Sequence, residues 1–338
     1  IGSGLDIGGG LALNAKDVTI KAGTEETTST SSETTRTAGA SYSTNGGASA
    51  NASGSNTDAD SYSKTHINST INAGSLTSTS DNLTLSGANV EIAGNIDIDT
   101  GNLTIESLQD ESSSSSKTEG YSASANIGGD KSISPGNFGA NENSSNADSK
   151  WVNNQTTLIG GTSGEGEVNI TADSTTLTGA VLASATRNED GSLTDNGTLN
   201  LATDELIIED LKDKDHSESK GFDVSTSVGY NSDNPDTKST DEGYLTGSTT
   251  VGLTSDGHKK EQNTLATLGG GNITKKDGSA HEEGLVESAN SDLNNSQEIT
   301  KDVKTGGLNA TVTVDHRLLS ENGLNDISND FEDSYEHG

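Results

Sequence analysis

Apolar side chains in this sequence come in pairs with one polar or small residue between them. Leu11 and Leu13, Val18 and Ile20, Leu83 and Leu85, Val90 and Ile92, Ile96 and Ile98, and Leu103 and Ile105 all follow this pattern. Alternation of this kind puts both members of a pair on one side of a β-strand and the intervening residue on the other. Gly, Asn or Asp separates the pairs, as at Gly87, Gly94-Asn95 and Gly101-Asn102. These residues accept the positive φ of tight corners. Strands this short have no independent stability. They must stack, each covering the edge of the one below, so that the pairs form a continuous apolar column. The prediction is an all-β chain built as a parallel β-helix, with coils of about 20 residues stacked about 4.8 Å apart. Four blocks lie between Leu83 and Leu103, too many for one plain coil if every block is a full side. Some blocks are therefore read as short sides.

The composition suits thin cores rather than one large globule. Of 338 residues only 27% are hydrophobic and 3% aromatic, too few large side chains to offset the chain entropy of two ordinary domains. Lys plus Arg number 19 against 52 Asp plus Glu, a formal net charge of -33. That charge repels phosphate, and no basic patch with interleaved aromatics is present, so nucleic acid is excluded as a partner. Acidity of this degree favours solubility, cation binding or a high-salt environment. Zero Cys excludes disulfide staples, thiolate metal sites and Cys nucleophiles. No apolar run approaches the roughly 18 residues of a membrane-spanning helix. There is no signal peptide. The chain opens at Ile1-Gly2-Ser3-Gly4, already in repeat-like sequence, and is expected to be a piece of a longer protein.

Two internal repeats organise the chain. Leu103-Thr104-Ile105-Glu106-Ser107-Leu108-Gln109-Asp110 recurs as Leu206-Ile207-Ile208-Glu209-Asp210-Leu211-Lys212-Asp213, with a fainter copy at Val18-Thr19-Ile20-Lys21. Each leads into a polar stretch and then a small-residue segment carrying an aromatic, at Tyr42, Tyr121 and Phe222. The second motif, Asp81-Asn82-Leu83-Thr84-Leu85-Ser86-Gly87-Ala88, matches Asp173-Ser174-Thr175-Thr176-Leu177-Thr178-Gly179-Ala180. Residues 1–277 are predicted to form the repeat unit, with Ser/Gly-rich excursions at about 24–65, 109–150 and 212–262. Alternating small residues at Ala38 to Ala52 and Tyr121 to Ile127 suit flat hairpins or an extra sheet beside the rod. Mobile loops are the other reading. Residues 278–338 are predicted to be a C-terminal cap or a linker to a following domain. There Ser288–Thr300 and Asn322–Tyr335 read as helix, the latter from Leu324, Ile327, Phe331 and Tyr335 on one face, and Asn309–Asp315 reads as strand.

No chemistry-bearing motif emerges. The six His, at 66, 216, 258, 281, 316 and 337, form no metal-binding spacing. His281-Glu282-Glu283 is read as a solvated loop. Asp97 with Asp99, and Glu209, Asp210, Asp213 and Asp215 on one turn, allow weak calcium binding but match no calcium loop. Asp97 with Asp99, or Glu106 with Asp110, imitate a glycan-cleaving carboxylate pair, but Trp151 is the single Trp available as a sugar platform. Gly269-Gly270-Gly271 precedes no Lys-Ser/Thr and no helix, so no phosphate loop is read there. The prediction is a non-enzyme with no catalytic, cofactor or metal site.

Gly10-Leu11-Ala12-Leu13-Asn14-Ala15 with Val18-Thr19-Ile20-Lys21-Ala22-Gly23 resembles the haemagglutinin repeats of large exoproteins of the filamentous haemagglutinin type. Asn102 to Asp110 followed by a Ser run, His66 to Ile71, and Ser217 to Phe222 are similar to recurrent phrases of those repeats. Gln297-Glu298-Ile299-Thr300-Lys301-Asp302 and Thr305-Gly306-Gly307-Leu308 look like the region after the last repeats in contact-dependent growth inhibition exoproteins. The resemblance spans about residues 1–320. It implies a right-handed β-helical filament, secreted by a Gram-negative bacterium through a two-partner system. Its implied partners are an outer-membrane β-barrel for export and the outer membrane or a receptor of a target cell. An immunity protein would belong only to a downstream toxin, which this chain lacks along with any Val-Glu-Asn-Asn junction. It implies either toxin delivery to neighbouring bacteria or adhesion to host cells or surfaces, and no catalytic residue.

Overall fold

A computed structural model describes residues 2–44, 46–128, 133–231, 244–321, 323–325 and 327–328. The chain is all-β. The apolar pairs form the inner side of three parallel columns of short strand segments. In the first column Ile71, Val90, Leu158, Leu182 and Leu268 lie in register above one another. Leu11, Leu76, Ile96, Val168 and Leu199 do the same in the second. Val18, Leu83, Leu103, Thr175 and Leu206 do so in the third. The columns surround one core, in which most of these Leu, Ile and Val side chains are fully buried.

The coil length follows from the register. Leu83 stacks on Leu103, and Asn102 donates to Asn82 at 2.8 Å across a separation of 20 residues. The stretch from Leu83 to Leu103 is thus one full turn through all three sides, beginning and ending on the same column. Asn and Asp also ladder on the outside, where Asn200 donates to Asn169 and Asn169 to Asp97.

From the third column the chain has two ways to reach the next coil. One is a tight corner. Gly87 (φ 64°) and Gly179 (φ 52°) take it in the left-handed region. A Cβ on Gly87 would stand 2.6 Å from Ala22 Cβ, and one on Gly179 2.8 Å from Leu211. The other way is a long hairpin. Gly23–Tyr42 pairs with Ala48–Ile67, Asp110–Ile127 with Ile133–Trp151, and Leu211–Asn231 with Tyr244–Thr264. Hairpin and corner alternate from coil to coil. A hairpin is two strands wide and fills the height of two coils, because both stack at about 4.8 Å. Successive hairpins therefore meet edge to edge, as Ala48–Ile67 meets Asp110–Ile127 and Ile133–Trp151 meets Leu211–Asn231.

The Ser-rich excursions are thus ordered strands of a seven-stranded antiparallel sheet. The chain is correspondingly mixed: parallel columns around the core, the antiparallel sheet beside them, and a small antiparallel ribbon of Val181–Arg187 with Leu193–Asp195. A plain parallel helix does not describe it.

The C-terminal region departs from expectation. Ser288–Thr300 is not a helix. Asn290, Asp292 and Asn294 tie side chains to nearby backbone, with Asn290 Oδ1 accepting from the Asp292 N–H and Asp292 Oδ1 from the Asn294 N–H. Such local bonds compete with helical ones. Leu293 is buried against Ile159, Val181, Ala183 and Ala185. Leu285, Val286 and Ala289 pack on the main core. Gln297–Asp315 is a strand, including the stretch from Asn309, and adds to the free edge of Tyr244–Thr264. Of the expected helix over Asn322–Tyr335, residues 323–325 and 327–328 are helical. The rest, with Phe331 and Tyr335, lies outside the described residues.

Candidate functional site: an apolar face on the hairpin sheet

Residues opposite one another in a β-ladder share a face, and alternate residues along a strand share it too. Following the pairing across the sheet gives Arg36, Gly54, Tyr121, Ala140, Val224, Val251 and Val312 as one row. The next row toward the hairpin tips is Ala38, Ala52, Ala123, Phe138, Thr226, Thr249 and Val314. Beyond it on the same side stand Ala40, Ala50, Ala125 and Val228, then Tyr42, Ala48, Ile127 and Leu245. Below the first row are Phe222 and Leu253. The face is open: Tyr42 is 77% exposed, Val312 63%, Tyr121 57% and Phe138 53%. In the rows from Arg36 to the tips, Arg36 is the one charged residue among the described residues.

The opposite face of the same strands is polar. It carries Ser41, Asn51, Ser53, Ser122, Ser124, Asn141, Ser225, Ser227, Ser248, Thr250, Thr311 and Thr313. The distal half of the sheet is amphipathic side to side.

Charges gather between this band and the stack. Lys117 holds Glu119 at 2.6 Å and Glu142 at 3.0 Å, and these two carboxylates raise its ammonium pKa above the usual lysine value. Lys214 bonds Asp148 at 2.8 Å and holds that carboxyl below its ordinary pKa. Lys220 does the same to Glu218. Nearest the stack, Glu26, Lys64, Glu111, Lys150, Lys214, Glu261 and Lys301 line up across all seven strands. Lys150 reaches Glu111 at 3.3 Å and Lys301 reaches Glu261 at 3.0 Å.

The repeated Asp of the sequence motif fixes the hairpin necks. Asp213 is 2% exposed. Gln109 donates to its Oδ1 at 2.6 Å, and Gln262 and Thr264 donate to its Oδ2 at 3.0 and 2.6 Å. One carboxylate thereby joins the second hairpin's entry to both strands of the third. Its counterpart Asp110 accepts from the His66 N–H at 2.6 Å and from Asn153 at 2.6 Å.

The other residues weighed from the sequence are dispersed. Asp210 accepts from the Ala266 N–H, and Asp213 is spent on its three donors, so Glu209, Asp210, Asp213 and Asp215 are not a shared set of free oxygens. No group of three or more His, Asp or Glu able to hold a metal occurs among the described residues. Asp97 and Asp99 project outward from the second column, exposed, and Asp97 accepts from Asn169. Asp110 is occupied at the neck rather than paired with Glu106. Trp151 lies under the Lys260 ammonium, 5.0 Å from the ring centroid, a cation–π contact. Glu282 and Glu283 are exposed beside His281 in a turn. Gly270 donates its N–H to Asp195, and Gly271 begins a strand of the second column.

The sequence reading found the small-residue alternation but missed the apolar face. Its signal was spread thin: Phe222, Val224 and Val228, then Leu253 and Val251, then Val312 and Val314. These come together only when the hairpins pair.

Residues 1–121 match the family described as Hemagglutinin repeat. That stretch is a repeat region of the filamentous haemagglutinin type. It takes in the first hairpin, the Gly87 corner and the outward strand of the second hairpin as far as Tyr121. The same plan of coil, corner and hairpin continues beyond the matched stretch, to Thr264. No curated protein and no solved structure matches the chain. The haemagglutinin repeat family suggests a secreted, adhesin-like filament segment and is structural rather than enzymatic. No helix among the described residues is long and apolar enough to cross a membrane, which says nothing about strands.

Proposed function

We propose that the chain is a non-catalytic repeat segment of a Gram-negative, two-partner-secreted cell-surface exoprotein that supports contact-dependent delivery of a toxin into neighbouring bacteria. In this reading the parallel columns form a right-handed β-helix that serves as a stiff mast. The hairpin sheet is the part that meets the target. Its apolar face lies in the lipid surface of the target outer membrane, with the polar face turned to water.

The observation that carries the reading is the two-faced distal sheet. Apolar and polar residues alternate over about seven to nine residues of each strand, about 25 Å, the height of the apolar band on outer-membrane strands. The strand edges stay open, so the sheet lies on lipid through one face rather than spanning it, because an unpaired edge is not tolerated in hydrocarbon. Export would use an outer-membrane β-barrel partner. An immunity protein would pair only with a toxin carried elsewhere in the parent protein.

Vesicle flotation tests this. The 338-residue chain should float with outer-membrane lipid vesicles, Val251→Lys and Val312→Lys should sink, and Thr250→Lys should float. Equal flotation of all three variants would remove the face from the account. Reading the gene past Gly338 separates delivery from adhesion: a short domain of new composition with a small gene behind it supports delivery, and further repeats or a stop codon support an adhesin filament.

A further inference from the structure

The apolar face poses a problem before any lipid is reached. Seven strands about 4.8 Å apart and a band about 25 Å long give about 850 Å². Soluble monomers rarely leave contiguous apolar patches above about 300–600 Å² in water. Here the patch is borne by a single-layer sheet; His316 reaches its margin, with Nε2 2.8 Å from Thr249 Oγ1, but Tyr42, Tyr121, Phe138 and Val312 stay more than half exposed.

We infer that in water this face is covered by the same face of a second copy of the chain, sheet against sheet. Four observations select that occupant. The area is that of a standard protein interface, about 800 Å² on each partner. Of the exposed aromatics, Tyr121 and Phe138 stand inside the band on middle strands, Phe222 stands at its base in the row of Glu119 and Glu142, and Tyr42 stands on an edge strand at the tips. Exposed aromatics such as Tyr121 and Phe138 inside a patch are the residue type that anchors protein interfaces. Around them lie Ala38, Ala50, Ala52, Ala123, Ala125 and Ala140, low side chains that let two sheets approach to about 10 Å. The charged groups stand at the margins of the band, Arg36 at the edge-strand end of its first row and Lys117, Glu119 and Glu142 below it, as a polar rim.

The inference concerns the protein before lipid contact and stands apart from the delivery reading. It gives that reading a resting state, in which two copies hide the face and separate when lipid replaces the partner.

Sedimentation velocity on the full chain at micromolar concentration tests it. The expected result is the mass of two copies. Phe138→Lys or Val251→Lys should weaken association about a hundredfold, since each places an unpaired charge in the interface. Thr250→Lys, on the other face, should leave the mass unchanged. Because a lysine in the sheet can unsettle folding, a second measurement uses the absence of Cys. Ala140→Cys, on the middle strand, should be joined between copies by a bifunctional thiol reagent spanning about 10 Å, the spacing of packed sheets, and Gly139→Cys, on the other face, should not. A single-copy mass at every concentration overturns the inference, as does a two-copy mass insensitive to both lysine variants. A face that associates only when vesicles are added also overturns it. A monomer that floats with vesicles would retain the delivery reading, and a dimer that never floats would retain only this one.

Discussion

Replacing Asp213 by Ala should loosen the third hairpin from the stack without melting the stack itself. The carboxylate is 2% exposed and receives three neutral donors, from Gln109, Gln262 and Thr264. Thr264 is fully buried and Gln262 nearly so, so neither finds water when the acceptor is removed. Gln109 is less enclosed and keeps its bond to the Lys212 carbonyl. The Thr264 hydroxyl is stranded and Gln262 keeps a longer bond, to Thr264 Oγ1 at 3.4 Å; two lost bonds to a charged acceptor at about 1.5–3 kcal/mol each give a local loss of about 3–4 kcal/mol. Asp213→Asn keeps one acceptor but turns an N–H toward a donor, and should lose about half as much. Amide hydrogen exchange is the assay, because it reads opening locally. Protection of the neck amides around Thr264 should fall by more than a hundredfold in the Ala variant, by about tenfold in the Asn variant, and hardly at all around Leu83 and Leu103. An Ala variant within about 0.5 kcal/mol of the parent at the neck would refute the clamp. So would equal loss of protection in the stack, which would mean that hairpins and coils open as one unit.

Leu103→Ala, in the middle of the third column, should cost the stack about 2–5 kcal/mol in chemical unfolding, since its neighbours above and below cannot close the gap. Gly87→Val should disrupt the corner, as the new side chain would meet Ala22 in a conformation that valine resists, whereas Gly8→Ala meets nothing within 4 Å and should be silent by thermal melting. Lys214 holds the Asp148 carboxyl below its ordinary pKa, so the pair stabilises the sheet above the unfolded carboxylate pKa, and that contribution fades as pH falls through the lower folded value. Both side chains are half-exposed, so the loss should be at most about 0.5 kcal/mol; Lys214→Ala should return Asp148 toward its ordinary pKa in an NMR titration.

Much of this architecture could be read from residue order. The pairs Leu83/Leu85, Ile96/Ile98 and Leu103/Ile105 announce strands with one buried face, and their spacing sets the coil. The two repeated phrases correspond to the two ways of closing a coil. The one ending at Gly87 and Gly179 is the tight corner, and the one ending at Asp110 and Asp213 is the hairpin neck. The three-sided coil was harder to see, because where a side ends depends on corners such as Gly94-Asn95 that look alike in any loop. The helix read over Ser288–Thr300 failed because Asn290, Asp292 and Asn294 bond their own backbone, and because Tyr244–Thr264 offers a free edge to Gln297 onward. The apolar face was least legible. Ala38, Tyr121, Phe138, Val224 and Val312 are far apart in sequence, and each strand alone resembles a polar linker with an occasional apolar residue. The face exists only as a product of pairing.

The most direct test of the account is a lipid-contact scan of adjacent residues on one strand. With no native Cys, single-Cys variants at Phe222, Asp223, Val224 and Ser225 can each carry an environment-sensitive fluorophore. On vesicles containing brominated lipid the account predicts strong quenching at 222 and 224 and none at 223 and 225. Uniform quenching, or none at any of the four, would contradict a sheet that meets lipid through one face.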